Sequence, residues 1–317
     1  MSSVLVTGAN GFIGNMLCRK LLGDGFQVRS AIRSNKSFRL PGGIESCEIA
    51  DIGARVDWNG ILRGVDTVVH LAARLHVMHD TATDPSAEYL KVNVTGTKQL
   101  ARAAVEARVK RFIFLSTVKV NGKENVRPYR EIDPPAPLDY YAISKLQAEQ
   151  LLKKIATASG MELIILRPPL VYGPGVKANF LQLLKIVNKR LPIPLAGVHN
   201  RRSFIYLGNL VDAILTCLKR SNSAIDTYLV SDDHDVSTPN LIRMIAAALH
   251  KPSHLFHFPQ LLLYTLAKLT GRGPAVDRLI GSLTVDISKI KKELDWSPPF
   301  TMEHGLQQTA DWFNRNV

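Results

Sequence analysis

The chain has 317 residues, a formal charge of +13 and 46% hydrophobic residues. That length can bury a substantial core as one large domain or two smaller ones, and the composition is that of an ordinary globular protein without low-complexity segments or internal repeats. Cys18, Cys47 and Cys217 are few, odd in number and widely spaced, which argues against a disulfide framework or a zinc site and for a reducing, cytoplasmic setting. The positive balance raises a polyanionic partner. No dense Lys/Arg block with interleaved aromatics is present, so nucleic acid is not expected, and small phosphorylated ligands or a solvated basic surface fit better. No secretory signal opens the chain. The apolar run Leu261 to Ala267 is interrupted by Lys268 and is too short to span a bilayer. It predicts a buried helix, with a membrane-surface or partner-facing role as the alternative.

In chain order, Val4 to Thr7 predicts a first strand and Phe12 to Leu22 an amphipathic helix, joined by glycines spaced three apart at Gly8, Gly11 and Gly14. Strand, tight turn and helix in that order form a cradle for a pyrophosphate. Gly8 permits the turn, Gly11 lets backbone approach a ligand, and Gly14 lets the helix pack close to the sheet. The helix N-terminus offers N–H groups and a partial positive charge to phosphates. Asn10, Phe12 and Ile13 lie in the same turn and join the candidate cofactor residues. A structural turn without ligand is the competing reading.

Strands are then predicted at Val28 to Ile32, Ser46 to Ala50, Val65 to Ala73, Phe112 to Ser116 and Leu163 to Leu166, with helices at about 87 to 107 and at Tyr141 to Ala158. The alternation predicts an α/β fold with a doubly wound parallel sheet, whose ligands bind beyond the carboxyl ends of the strands. At the end of the second strand an NAD site usually carries an acid for the ribose hydroxyls. Ile32 and Arg33 stand there, with Lys36 and Arg39 behind. Arg33 suits a 2′-phosphate, so NADP(H) is favoured, with NAD(H) as the alternative. Asp51, followed by Ile52, is placed either to bind the adenine amino group or to cap its own loop.

Tyr141 and Lys145 are four apart on one helical face. A phenol titrates near ~10, and a neighbouring ammonium is expected to lower that value so that the pair can exchange a proton with an alcohol or carbonyl oxygen. Thr117, after the fifth strand, can hydrogen-bond the same oxygen.

These residues together resemble an extended short-chain dehydrogenase/reductase of the NAD-dependent epimerase/dehydratase family. The pieces that carry the resemblance are Gly8-x-x-Gly11-x-x-Gly14, Asp51-Ile52, His70-Leu71-Ala72-Ala73, Asn93-Val94-Thr95-Gly96-Thr97, Ser116-Thr117, Tyr141-x-x-x-Lys145 and Arg167-Pro168-Pro169-Leu170-Val171-Tyr172-Gly173-Pro174. The resemblance implies a Rossmann-type domain over 1–172, completed by parts of 200–232, and a smaller C-terminal α/β substrate-binding domain over 173–317. It implies Thr117, Tyr141 and Lys145 as catalytic residues. Leu71, Ala72, Ala73, Asn93 and Pro168 join the cofactor site, and Lys145 also binds the nicotinamide ribose. It implies a UDP-sugar substrate approached by Lys119, Asn179 and Phe180, with Arg202 and Arg278 as pyrophosphate clamps. A homodimer without metal is expected.

Departures from the family pattern narrow the reaction. Related 4,6-dehydratases carry Asp-Glu after the catalytic Thr, where this chain has Val118-Lys119, so dehydration is not expected. Leu170 stands where Asn is common. With Arg33, the pattern favours reduction of a UDP-4-keto-6-deoxy-N-acetylhexosamine in surface-polysaccharide synthesis. A UDP-glucose or UDP-N-acetylglucosamine 4-epimerase is the runner-up, and a catalytically silent NADP sensor a third reading.

Overall fold

The computed structural model describes residues 2–33, 41–53, 56–75, 84–220, 224–269 and 273–317. The first half alternates as β1 (Ser3–Thr7), α1 (Phe12–Gly23), β2 (Gln27–Arg33), β3 (Ile44–Ile49), α2 (Trp58–Leu62) and β4 (Thr67–His70). There follow α3 (Pro85–Tyr89), a π-helical stretch Leu90–Gly96, α4 (Thr97–Glu106), β5 (Arg111–Leu115), α5 (Tyr140–Ser159) and β6 (Glu162–Arg167). The second half contains β7 (Leu170–Tyr172), α6 (Ala178–Asn188), β8 (Phe204–Tyr206), α7 (Leu207–Lys219), β9 (Ile225–Leu229) and α8 (Thr238–Ala248). It closes with α9 (Gln260–Leu269), α10 (Gly273–Ile280), α11 (Ser288–Leu294) and α12 (Met302–Asn316).

Seven strands form one parallel sheet in the order β3-β2-β1-β4-β5-β6-β9. β4 is confined to Thr67–His70, so Leu71 to Leu75 form an irregular segment beyond the ladder rather than more strand. β7 and β8 make a separate parallel pair, with Tyr172 opposite Tyr206. Two buried clusters cover the sheet. One holds Leu5, Val68, Phe112, Phe114, Leu100 and Leu152 beneath α4 and α5. The other joins Val4, Val6 and Leu17 to the second-half elements. Strands buried on both faces read as continuous apolar runs, which is why β1, β4 and β5 were visible in the sequence.

The order reverses between β1 and β4, and ligands of open α/β sheets bind in that crevice. Close approaches there need glycine. A Cβ on Gly14 would lie 2.2 Å from the Gly8 carbonyl oxygen, and Gly8 itself has φ +70° with the Ala72 backbone nitrogen 3.0 Å from its Cβ position. Gly96 plays the same part at the π-helical stretch, where a Cβ would meet the Ile52 oxygen at 2.4 Å.

Among the described residues no helix is long and apolar enough to cross a membrane. Gly96→Ala is expected to destabilise the fold by about 1–3 kcal/mol through overpacking against Ile52. Gly60→Ala, with nothing within 4 Å of its Cβ position, is expected to stabilise α2 by roughly 0.5–1 kcal/mol. Urea midpoints of the two variants, moving in opposite directions, check this.

Candidate active site

The predicted residues of the first half gather at the carboxyl ends of the strands. Gly8 to Gly14 follow β1, Arg33 ends β2, Asp51 follows β3, Leu71 to Ala73 follow β4, Thr117 follows β5 and Pro168 follows β6. α1 is preceded by Gly11, which offers no side-chain cap, and the first-turn N–H groups of a helix have no intrahelical acceptors. Asn10, Phe12 and Ile13 are half-buried around this turn. A glycine cradle that a Cβ would fill and an open helix N-terminus fit a dinucleotide pyrophosphate.

At the ribose end, Arg33 and Asp51 face each other, with the guanidinium 3.7 Å from the carboxylate, Arg33 exposed and Asp51 half-buried. The other Asp51 oxygen accepts the Gly53 N–H at 2.8 Å. Of the two readings of Asp51, loop capping is the one its hydrogen bond shows. The pairing also revises the reading of Arg33, because a 2′-phosphate bound there would sit beside a carboxylate. Lys36 and Arg39 lie outside the described residues. Ile32 and Ile52 are core side chains.

The segment after β4 is held from below. Asn93, in the π-helical stretch, accepts the Arg74 N–H at 2.7 Å and donates to the Arg74 carbonyl at 3.1 Å and to Ser144 Oγ at 2.9 Å. Its buried amide is therefore spent on tying the Leu71 to Leu75 segment to α5. Beside it, His70 is buried and bridges Thr7 Oγ1 at 2.7 Å and Thr97 Oγ1 at 2.9 Å. Thr97 donates to the Asn93 carbonyl and Thr7 accepts the Ala72 N–H. That chain is complete with His70 neutral, Nε2 donating and Nδ1 accepting. Burial first, then Lys145, lower its pKa to about 3.

α5 starts at Asp139, whose Oδ1 accepts the Ala142 N–H at 2.7 Å, and carries Tyr141, Lys145 and Glu149 at successive turns. Lys145 is buried with its Nζ 3.9 Å over the Phe114 ring. Burial lowers its pKa to about 7, against the raising effect of Glu149. The half-buried Tyr141 departs from expectation. Burial, then the Asp139 carboxylate and Tyr89, hold the phenol well above its usual range. In this state the group is a proton donor, and its ionisation needs added positive charge nearby. Thr117 Oγ1 accepts the Lys119 N–H at 3.3 Å, which leaves its O–H to donate. Lys119 pairs with Asp139 at 2.8 Å, with its Nζ 5.9 Å from the Tyr141 ring centroid. Pro168 accepts the Val118 N–H at 2.9 Å, so it anchors the turn that bears Thr117.

Sequence reasoning missed a buried network beneath these groups. Glu149 receives Ser116 Oγ and two guanidinium nitrogens of Arg167, at 3.0 Å from Nε and 2.5 Å from Nη2, while Arg167 Nη1 donates to Asn121 at 3.1 Å. The available signal was the i, i+4, i+8 ladder Tyr141, Lys145, Glu149.

The second-half candidates are less concentrated. Asn179 is exposed in the first turn of α6, whereas the Phe180 ring is buried and stacks on Tyr172 at 5.3 Å. Arg202 donates to the Gly281 carbonyl at 2.8 Å, at the end of α10. Arg278 lies on α10, but its side chain is outside the described residues. Leu170 is exposed on β7. Among the described residues no group of three or more His, Cys, Asp or Glu side chains could hold a metal.

Comparison with known proteins gives a consistent picture. The family model described as NAD dependent epimerase/dehydratase family matches residues 4–230. A UDP-glucose 4-epimerase of Vibrio cholerae is 43% identical over 317 residues, covering 98% of this chain and 95% of that protein. An N-acetyl-alpha-D-glucosaminyl-diphospho-ditrans,octacis-undecaprenol 4-epimerase of Escherichia coli O157:H7 is 30% identical, covering 98% and 95%. The solved structure of MoeE5 in complex with UDP-glucuronic acid and NAD is 25% identical, covers 100% of both chains and superposes with a TM-score of 0.80.

His70 supplies a pH test of the site. Its pKa in the folded chain is about 3 against 6.5 for an ordinary histidine, so the unfolded chain binds its proton first. The stability that a neutral His70 contributes is full above about 6.5 and is lost as pH falls towards 3, at up to about 1.4 kcal/mol per pH unit. His70→Gln is expected to flatten the unfolding free energy over that acid range, measured by urea titration at each pH.

Proposed function

The chain belongs to the NAD dependent epimerase/dehydratase family, and from that premise we propose that it is an NAD-dependent 4-epimerase of UDP-hexoses. The observation that carries this reading is the end-to-end match to the Vibrio cholerae UDP-glucose 4-epimerase, which spans both the dinucleotide cradle and the substrate half. The 4-ketoreductase reading favoured by the sequence rested on the motif pattern together with Arg33 as an NADP residue. Arg33 now has the Asp51 carboxylate beside it, and the MoeE5 structure holds NAD.

Bound at the Gly8 to Gly14 turn, NAD supplies the hydride acceptor and donor. The protein groups manage the proton and the orientation. Once ionised by added positive charge nearby, Tyr141 takes the proton of the C4 hydroxyl as that carbon becomes a ketone, and returns it once the sugar has presented its other face. Lys145 stabilises the phenolate, and Thr117 donates to the same oxygen. Val118 and Lys119 supply no acid/base pair for dehydration. Arg202, with Arg278, holds the diphosphate.

A second reading of the substrate is favoured by the Escherichia coli relative, whose sugar is carried on undecaprenyl diphosphate. The hexose and diphosphate are common to both carriers.

Incubation of the purified protein with UDP-glucose and UDP-N-acetylglucosamine, followed by NMR without added reductant, is expected to give the C4 epimers. Consumption of NADPH with a UDP-4-keto-sugar, and no epimer, would restore the reductase. Tyr141→Phe is expected to lower kcat by ~10²–10⁴-fold with dinucleotide affinity little changed. Titrations are expected to show NAD binding more tightly than NADP. Asp51→Asn, which keeps the loop cap and removes the charge, is expected to raise NADP affinity by roughly tenfold.

A further inference from the structure

Two stretches of the chain contain no Asp or Glu, from Leu163 to Val211 and from Val236 to Val276, and they carry seven and four Lys or Arg residues. The fold brings them together. Ile193 forms a parallel bridge with Leu255, its N–H donates to the His254 carbonyl at 2.8 Å, and the Phe256 N–H donates back to the Ile193 carbonyl at 3.1 Å. Around this join, large apolar side chains face solvent. Leu191 is 47% exposed, Phe256 42% and, at the end of α6, Ile186 37%. Lys189 and Arg190 are exposed at the turn between α6 and Leu191. Among the described residues no carboxylate pairs with either cation. α9 leaves the same segment after Pro259, with Leu262 52% exposed and Lys268 exposed.

Single exposed apolar residues are ordinary. Here leucine and phenylalanine stand among cations on two joined segments that lack every acid, a combination with a definite chemical complement. Anionic headgroups neutralise the cations, and the boundary of the acyl chains accepts the apolar side chains. A nucleic acid would match the charge but offers little to Leu191 and Phe256. We infer that the face formed by the Lys189–Arg190 turn, Leu191 and Phe256 docks the protein peripherally on an anionic lipid surface. The inference goes beyond the epimerase reading and does not rest on it, because none of these residues is among those assigned to the dinucleotide, the sugar or the proton transfer.

The test uses the full chain and pelleted vesicles of phosphatidylcholine, alone or with about one-third phosphatidylglycerol. Wild type is expected to sediment with the anionic vesicles, to release as salt is raised, and to ignore the neutral ones. Leu191→Glu combined with Phe256→Glu is expected to lower the partition coefficient by roughly tenfold or more. Lys189→Ser combined with Arg190→Ser is expected to lower it similarly. Both double variants should keep the wild-type melting curve and the turnover of soluble UDP-sugar. No sedimentation of wild type, equal binding to neutral vesicles, or equal partition of wild type and both variants overturns the inference. So does a variant that loses a solution dimer, by light scattering, while wild type ignores vesicles, since the face then meets a second copy of the chain.

Discussion

The candidate active site depends on one buried ion pair. Glu149 and Arg167 are both almost fully out of water, and charges removed from water are tolerated only when their remaining hydrogen-bonding capacity is met. Ser116 and Asn121 meet it. The four residues come from α5, from β6 and from either end of the turn after β5, so the pair locks three pieces of backbone into one arrangement. Glu149 lies on the helical face that carries Lys145 and Tyr141. Its fixed position therefore sets the rotation of α5 about its axis, and with it where the phenol and the ammonium stand relative to Thr117.

A second constraint acts from the other side of the crevice. Asn93 in the π-helical stretch and Thr97 at the start of α4 are placed so that one holds the Arg74 backbone and the other holds His70. Through Thr7 and Ala72 the same chain reaches the end of β1. The glycine cradle and α5 are thus linked by continuous hydrogen bonds through a neutral histidine. Phe114 lies between the two systems, stacked on His70 and beneath the Lys145 ammonium.

Much of this was legible in the sequence, because long parallel strands and an amphipathic helix leave clear periodicities. β1, β2, β5, β6, α1 and α5 were each found within a few residues. β7 and β9 were not read as strands, since three to five residues with mixed side chains carry no period of their own. Partner choice was the harder part. Arg33 and Asp51 were read as separate ligands because sequence separation hides their approach across β2 and β3. Phe180 was read as facing substrate, although Tyr172 claims its ring. The phenol of Tyr141 was expected to be lowered by a cation, but burial and the helix-capping Asp139 act in the opposite direction. Motif spacing says which residues share a face and nothing about the dielectric around them.

The late position of β9 in the chain has a further consequence, which concerns synthesis rather than catalysis. β9 is the outermost strand beside β6, and Leu163 to Arg167 pair with Ile225 to Leu229. A growing chain therefore completes the Tyr141–Lys145 helix and β6 long before the strand that covers the β6 edge has been made. During that interval the nascent sheet presents an apolar, unpaired edge of the kind that templates association with other chains. A fragment ending near residue 172 would keep that exposure permanently. β9 thus serves the first half as a delayed cover, and expression of the first half alone leaves the β6 edge without it.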